Sequence, residues 1–261
     1  MDIDQPPNDM LSKDWNPAEA LAWLVEMGAD EIVGELAIDR FAASLVVEKP
    51  KPLAAEQQRP TTLPDQSAAD ATTQAAACGS IEALMQALNY FDANPLRKSA
   101  TQLSFIEGNL ASPILVMGDR PRNEEDRSGQ VFAGKSRVLL TAMLAAINLK
   151  IEDVVLMNFI AWRPPGNRAP LENEIAMCLP FASRAINLIQ PKMILSFGAI
   201  AGQYLAGGDA SIIRQRGKWQ EIGSAALIAT LHPDELLKFP AQKKLAWRDL
   251  LAFKIKWDEL K

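Results

Sequence analysis

GQVFAGKS, Gly129 to Ser136, satisfies the pattern G-x-x-x-x-G-K-[ST] letter for letter. The reading of the fold turns on whether that match is a phosphate loop. A phosphate loop follows directly on a strand and opens a helix, so that its backbone N–H groups wrap the phosphates. Ser136 is placed to open a helix, because SRVLLTAMLAAINL follows at 136–149. The preceding strand, PILVMG at 113–118, ends about ten residues too early. The intervening DRPRNEEDRS, 119–128, carries four carboxylates, poor company for a triphosphate. A phosphate loop also needs a later strand that ends in Asp for the metal. The later strands here end in Asn158, Gly198 and His232.

Outward from that stretch the chain alternates strand and helix. PILVMG (113–118), DVVLMN (153–158), KMILSFG (192–198) and AALIATLH (225–232) are short, apolar runs of the kind buried in parallel sheets. Helical segments lie between them at 136–149, 171–190 and 199–206, and an amphipathic helix closes the chain at 242–260. The pattern predicts an α/β fold, a three-layer α/β/α sandwich around a four-stranded parallel sheet. Ligands of such sheets sit at the carboxyl ends of the strands, which here carry Gly118, Asp119, Asn158, Gly198 and His232. Upstream, SIEALMQALNYF (80–91) reads as a helix. The segment 46–77, rich in Pro, Ala, Gln and Thr, has few large apolar residues and reads as a flexible linker. PAEALAWLVEMGADEIVGEL (17–36) reads as a pair of short helices within a helical leader, 1–45, suited to docking a protein partner. The main domain then spans 78–261.

Composition sets the class. The chain has 261 residues, 48% hydrophobic, enough for one sizeable α/β domain and an appendage. No apolar run reaches the roughly 18 residues of a membrane span. The acidic start MDIDQPPNDM lacks the order of a signal peptide. Two cysteines, Cys78 and Cys178, make neither a disulfide framework nor a metal site, and a reducing cytoplasm is expected. The net charge of −5 divides unevenly: residues 1–110 hold 7 basic and 17 acidic side chains, and 111–261 hold 20 and 15. A basic domain behind an acidic leader suits a polyanionic partner, though ordinary surface variation gives the same numbers.

GDRPRNEEDRSGQVFAG (118–134), NFIAWRPPGNRAPLENEI (158–175), RGKW (216–219) and HPDELLKFP (232–240), in this order and spacing, resemble family 4 of the uracil-DNA glycosylases, in particular a bacterial branch with a helical leader. The resemblance covers about 78–261. It implies removal of a base flipped out of the DNA stack, through an oxocarbenium-like sugar and an anionic leaving group. It implies that His232, the sole histidine of the chain, lies against uracil O2 and stabilises the departing anion. It implies that the Asn158 amide reads the uracil edge and that Phe132 stacks on the base, a contact worth roughly 1–3 kcal/mol. Asp119 stands where the family has a glutamate associated with the water and the sugar. Pro121, Arg163, Asn167, Arg168 and Lys238 become candidate DNA contacts, with Arg216, Lys218 and Lys135 behind them. Plainer readings stand beside these: Phe132 as core, Asp119 as a solvated loop carboxylate, and 163–168 as a solvated basic loop.

Three departures from the family qualify the resemblance. Family 4 enzymes hold a [4Fe–4S] cluster on four cysteines. Here Phe91, Asn94 and Trp162 stand at three of those places and Cys178 alone matches, so no cluster is expected, no metal ligand is assigned, and Phe91 and Trp162 are expected to fill the space. Arg120 and Arg122 replace small residues of the first motif. Val131 replaces the proline before Phe132, which is expected to loosen the stacking loop. The leading expectation is a monomeric hydrolase that removes uracil or a related deaminated base from DNA, using water alone. A DNA- or partner-binding module with a weakened site is the second reading, and a nucleotide-binding protein using Gly129–Ser136 the third.

Overall fold

The computed structural model describes residues 66–260, so the expectations for the leader and for the linker up to residue 65 lie outside it. Helices α1 (Gln66–Ala77), α2 (Ile81–Asn89) and α3 (Pro95–Ser99) precede a sheet of six strands. The strands are β1 (Ile106–Gly108), β2 (Ile114–Gly118), β3 (Val155–Asn158), β4 (Met193–Phe197), β5 (Trp219–Ile222) and β6 (Ala225–Thr230). Between and after them run α4 (Asn123–Ser128), α5 (Gly134–Ala145), α6 (Glu172–Ile189), α7 (Ile200–Ala206), α8 (Ile212–Gln215), α9 (Pro233–Lys238) and α10 (Lys243–Glu259).

The sheet order is β1-β3-β2-β4-β6-β5. Its middle, β3-β2-β4-β6, is the expected set of four parallel strands. The expectation of four strands in all is corrected by the edges: β1 runs antiparallel to β3, and β5 antiparallel to β6. The central strands are buried on both faces, which explains their continuous apolar runs. Leu115 and Met117 of β2 face a core shared with α1, α2 and α6, and Ile114 and Val116 face one shared with α5 and α10.

The linker reading also needs correction at its end. Residues 66–77 form α1, which packs on α6 with Ala71 and Ala75 buried. Alanine supplies no large apolar surface, but its small side chain lets two helices approach closely, a contribution the composition conceals.

Register brings the strand ends level. Gly118 pairs with Asn158 on one side and Phe197 on the other, and Phe197 pairs with Thr230. The residues that follow emerge together at one edge of the sheet.

Candidate active site

Gly118 closes β2 at a point where a side chain would not fit. An added Cβ would stand 2.6 Å from Asn158 Oδ1 and 3.0 Å from the Phe132 ring. The missing side chain therefore lets the Asn158 amide and the Phe132 ring approach the end of the strand. Asn158 is fully buried, and its Nδ2 donates to Ser104 O (3.2 Å), Ser104 Oγ (3.2 Å) and Glu125 Oε1 (3.1 Å). Those three acceptors fix the amide orientation. They leave Asn158 Oδ1 buried with no hydrogen-bond partner among the described residues, an acceptor whose desolvation is uncompensated.

Glu125, which the sequence reading passed over, organises this corner. Its Oε1 also accepts the Phe132 N–H at 2.8 Å, and its Oε2 accepts the Arg122 N–H at 2.8 Å. Burial pushes its carboxyl above the usual carboxylate range, against the pull of those donors. The signal was present in NEED (123–126), but a run of acids reads as solvated surface. Only the helical turn of α4 shows that Glu125 and Asp126 face inward while Asn123 and Glu124 face out.

Phe132 has a left-handed backbone, φ 54°, and a fully buried ring. The ring stacks on His232, centroids 5.5 Å apart and planes 24° apart, and meets Phe197 edge-on. Phe132, Phe197 and His232 thus form one packed aromatic group. The loop is held without a proline: the Val131 N–H donates to Glu107 Oε2 at 3.3 Å, and Arg137 pairs with Glu107 and donates to Val131 O. The N–H used by Glu107 is one that proline lacks.

His232 caps the N-terminus of α9, and its Nδ1 accepts the Asp234 N–H at 3.2 Å. An Nδ1 that accepts leaves the ring proton on Nε2. Burial, and then the positive charges of Arg122, Arg120 and Lys238, bring the imidazole down to about 3, so it is neutral at physiological pH. Asp119 follows Gly118 and is half-buried. Its Oδ1 accepts the Ile200 N–H at 3.0 Å, and burial pushes its carboxyl up to about 6 against that bond and the two arginines. It lies over Gly198, at φ 120°, where any Cβ would collide with the carboxylate.

The basic residues divide. Lys238 and Lys135 are exposed beside an open cleft of about 480 Å³, also lined by Arg122, Asn167 and Asp234. Lys238 makes a surface pair with Glu235 at 3.3 Å. Arg163 turns inward, pairing with buried Asp126 at 3.2 Å and donating to Asn167 Oδ1 at 2.9 Å. Arg168 holds buried Glu174 with two parallel bonds of 2.8 and 2.6 Å. Pro121, a candidate DNA contact in the sequence, is buried in this structure and offers DNA little surface. Arg216 is likewise committed, to Asp249 at 2.7 Å and Leu245 O at 2.6 Å, whereas Lys218 is exposed.

The phosphate-loop reading fails on geometry. α4 separates β2 from the loop, and Gly129 is the left-handed cap of that helix. The Glu124 carboxylate lies against Gly134, 2.6 Å from where a Cβ would stand. Ser136 donates its hydroxyl to the Asp234 carboxylate. Carboxylates thus stand against both Gly134 and Ser136.

The residues at the four cluster positions do not fit an iron–sulfur cluster. Phe91, Trp162 and Cys178 are buried in one apolar core, and Asn94 is a buried polar side chain beside Cys178. Phe91 packs on Phe181 at 5.4 Å between centroids, and Asn94 Nδ2 donates to Cys178 Sγ at 3.5 Å while its Oδ1 accepts the Leu96 N–H. Burial pushes the Cys178 thiol up to about 12. Among the described residues no group of three or more His, Cys, Asp or Glu side chains is placed to hold a metal ion. No described helix is long and apolar enough to cross a membrane.

A parallel sheet whose carboxyl edge carries Asp119, Phe132, Asn158 and His232 matches one family model, the uracil DNA glycosylase superfamily, over residues 105–251. The chain belongs to this superfamily and stands with its type-4 members. It is 36% identical over 148 residues to the type-4 uracil-DNA glycosylase of Thermotoga maritima, covering 55% of this chain and 76% of that one. It is 33% identical over 153 residues to the type-4 enzyme of Archaeoglobus fulgidus, covering 56% and 77%. It is 28% identical over 182 residues to that of Pyrobaculum aerophilum, covering 66% and 92%.

Proposed function

We propose that this protein is a base-excision repair glycosylase that removes uracil, or a related deaminated base, from DNA. The observation that carries the reading is the pairing of a buried, unpartnered Asn158 Oδ1 with a neutral His232 whose proton is on Nε2, at one edge of the sheet. Uracil presents an N3–H donor where cytosine presents a lone pair. A fixed acceptor at Oδ1 therefore accepts the one and repels the other. We assign Phe132 as the aromatic platform on the resemblance; its ring is fully buried against His232 and Phe197, so a face must open for a flipped base to stack on it. As the C1′–N1 bond breaks, the electron pair leaves with the base, and His232 Nε2–H donates to O2 of the anion. The Asp119 carboxylate balances the positive charge that develops on the sugar and orients the water that attacks C1′. The products are the free base and an abasic site.

Lys135 and Lys238 flank the cleft and suit the DNA backbone, with Asn167 at its rim. Arg163 and Arg168 act by stiffening that rim. The enzyme uses water as its only cosubstrate, carries no iron–sulfur cluster, and works as a cytoplasmic monomer. Incubation with a single-uracil oligonucleotide, then alkali and a gel, is expected to give cleavage at the uracil that His232→Ala abolishes. No cleavage at high enzyme excess, with DNA binding retained, would leave a binding module.

A further inference from the structure

We propose that Arg122 is a positioning residue that acts through Asp234 to keep His232 in the tautomer that donates from Nε2. Arg122 Nε lies 2.5 Å from Asp234 Oδ2, a charge pair without the alignment of a hydrogen bond, and its Nη2 lies 4.0 Å from Glu235 Oε1, so the guanidinium ties the loop after β2 to the first turn of α9 by charge. The other carboxylate oxygen, Oδ1, takes the Ser136 hydroxyl from the first turn of α5. Asp234 therefore touches His232 twice, in opposite senses. Its N–H donates to Nδ1 at 3.2 Å, while its Oδ2 stands only 3.7 Å from the same nitrogen.

Those two contacts favour different proton positions. The backbone N–H requires a lone pair on Nδ1. A free carboxylate at 3.7 Å favours a proton there, as the neutral Nδ1–H form or as imidazolium. In the Nδ1–H form Nε2 presents a lone pair, which would repel the departing anion. Arg122 decides between them by engaging Oδ2 and cancelling its charge. The other charges acting on the ring are Arg120 on the same loop and Lys238 on α9, while Glu235 of α9 and Glu125 of α4 act on Asp234. None of these is paired with Oδ2. Arg122 also stands where the resemblance predicts a small residue, so the device belongs to this chain together with Asp234.

The inference rests on the reading of His232 as the donor to the leaving base, yet it can be tested without excision. His232 is the sole histidine, so its two ring nitrogens give unambiguous ¹⁵N resonances in the labelled full-length protein. The wild type is expected to show Nε2–H imidazole across about pH 5 to 9. Arg122→Gln is expected to place a proton on Nδ1 and to raise the titration midpoint by about one pH unit or more, tenfold in proton affinity. Adding Asp234→Asn should restore the wild-type spectrum. Arg122→Lys, which keeps the charge but not the Nε contact, should lie between. In the excision assay Arg122→Gln should lower the single-turnover rate about tenfold with little change in half-saturating DNA, and the double variant should recover it. Unmoved nitrogen signals in both Arg122 variants would overturn the proposal. Absent excision by the wild type would instead overturn the functional reading, with the spectra still deciding the role of Arg122.

Discussion

His232 and Asp119 sit at the same edge of the sheet, and burial moves them in opposite directions. The imidazole stays neutral and the carboxyl rises to about 6. His232→Ala is expected to slow single-turnover excision by about 10²–10⁴-fold while leaving DNA affinity nearly unchanged. In the role proposed for it Asp119 is ionised when it faces the cationic sugar, so the rate should rise with pH through about 6. Asp119→Asn should flatten that limb, as measured by single-turnover rates across the range. The sign for stability is opposite. The folded value lies above the unfolded one, about 3.9, so the native state holds the extra proton between them. Stability is lost as pH rises through that window and stays lower above it. Asp119→Asn should accordingly raise the urea midpoint at pH 7, with the gain disappearing near pH 4. Residue identities at this edge were legible because strand ends name themselves. Glu125, Asp234 and Ser104 were not, since their roles depend on which side of a short turn faces inward.

The loop 163–168 shows how an element's composition can mislead. Two arginines and two prolines read as a stiff basic loop facing DNA. Their partners, Asp126 and Glu174, come from two different helices, and no local pattern announces the pairing. Removing Arg168 strands a carboxylate that is buried while Arg168 itself is partly exposed. Loss of a buried partner costs about 3–5 kcal/mol, and solvent screening at the arginine brings the expected cost of Arg168→Ala nearer 2. A urea titration would measure it. The same commitments forecast the salt dependence of DNA binding. Lys135→Ala or Lys238→Ala should each reduce the slope of log affinity against log salt by about one, and Arg163→Ala should leave the slope unchanged. The Phe132 loop makes the complementary point. Val131 in place of proline reads as a loss of stiffness, yet its N–H becomes a bracing point for Glu107, itself paired with Arg137 across the helix that follows.

At the scale of the whole molecule, the four central strands and the helices between them were readable because burial on both faces leaves uninterrupted apolar runs. The edge strands were not. Ile106–Gly108 is three residues long and Trp219–Ile222 is only partly buried, so neither imposes a pattern on its sequence. α1 escaped for a related reason: alanines that pack closely on α6 look, in composition, like a tether. The core at Phe91, Trp162 and Cys178 ties these parts together, since it joins the α2–α3 segment, the chain after β3 and α6. Protein produced with iron withheld is expected to melt at the same temperature as protein produced with iron in excess. A large difference in melting temperature, with iron bound in proportion, would refute the apolar packing of that core.

The bare Oδ1 of Asn158 has a further consequence, for the end of the catalytic cycle. A buried acceptor left without a protein partner costs about 1–3 kcal/mol, and a donor that binds there recovers it. The liberated base carries the same imide N–H as the base still joined to its sugar. In the proposed function Asn158 therefore has reason to hold the product, and free uracil added to the reaction should compete with damaged DNA where thymine, with an extra methyl to house, competes less.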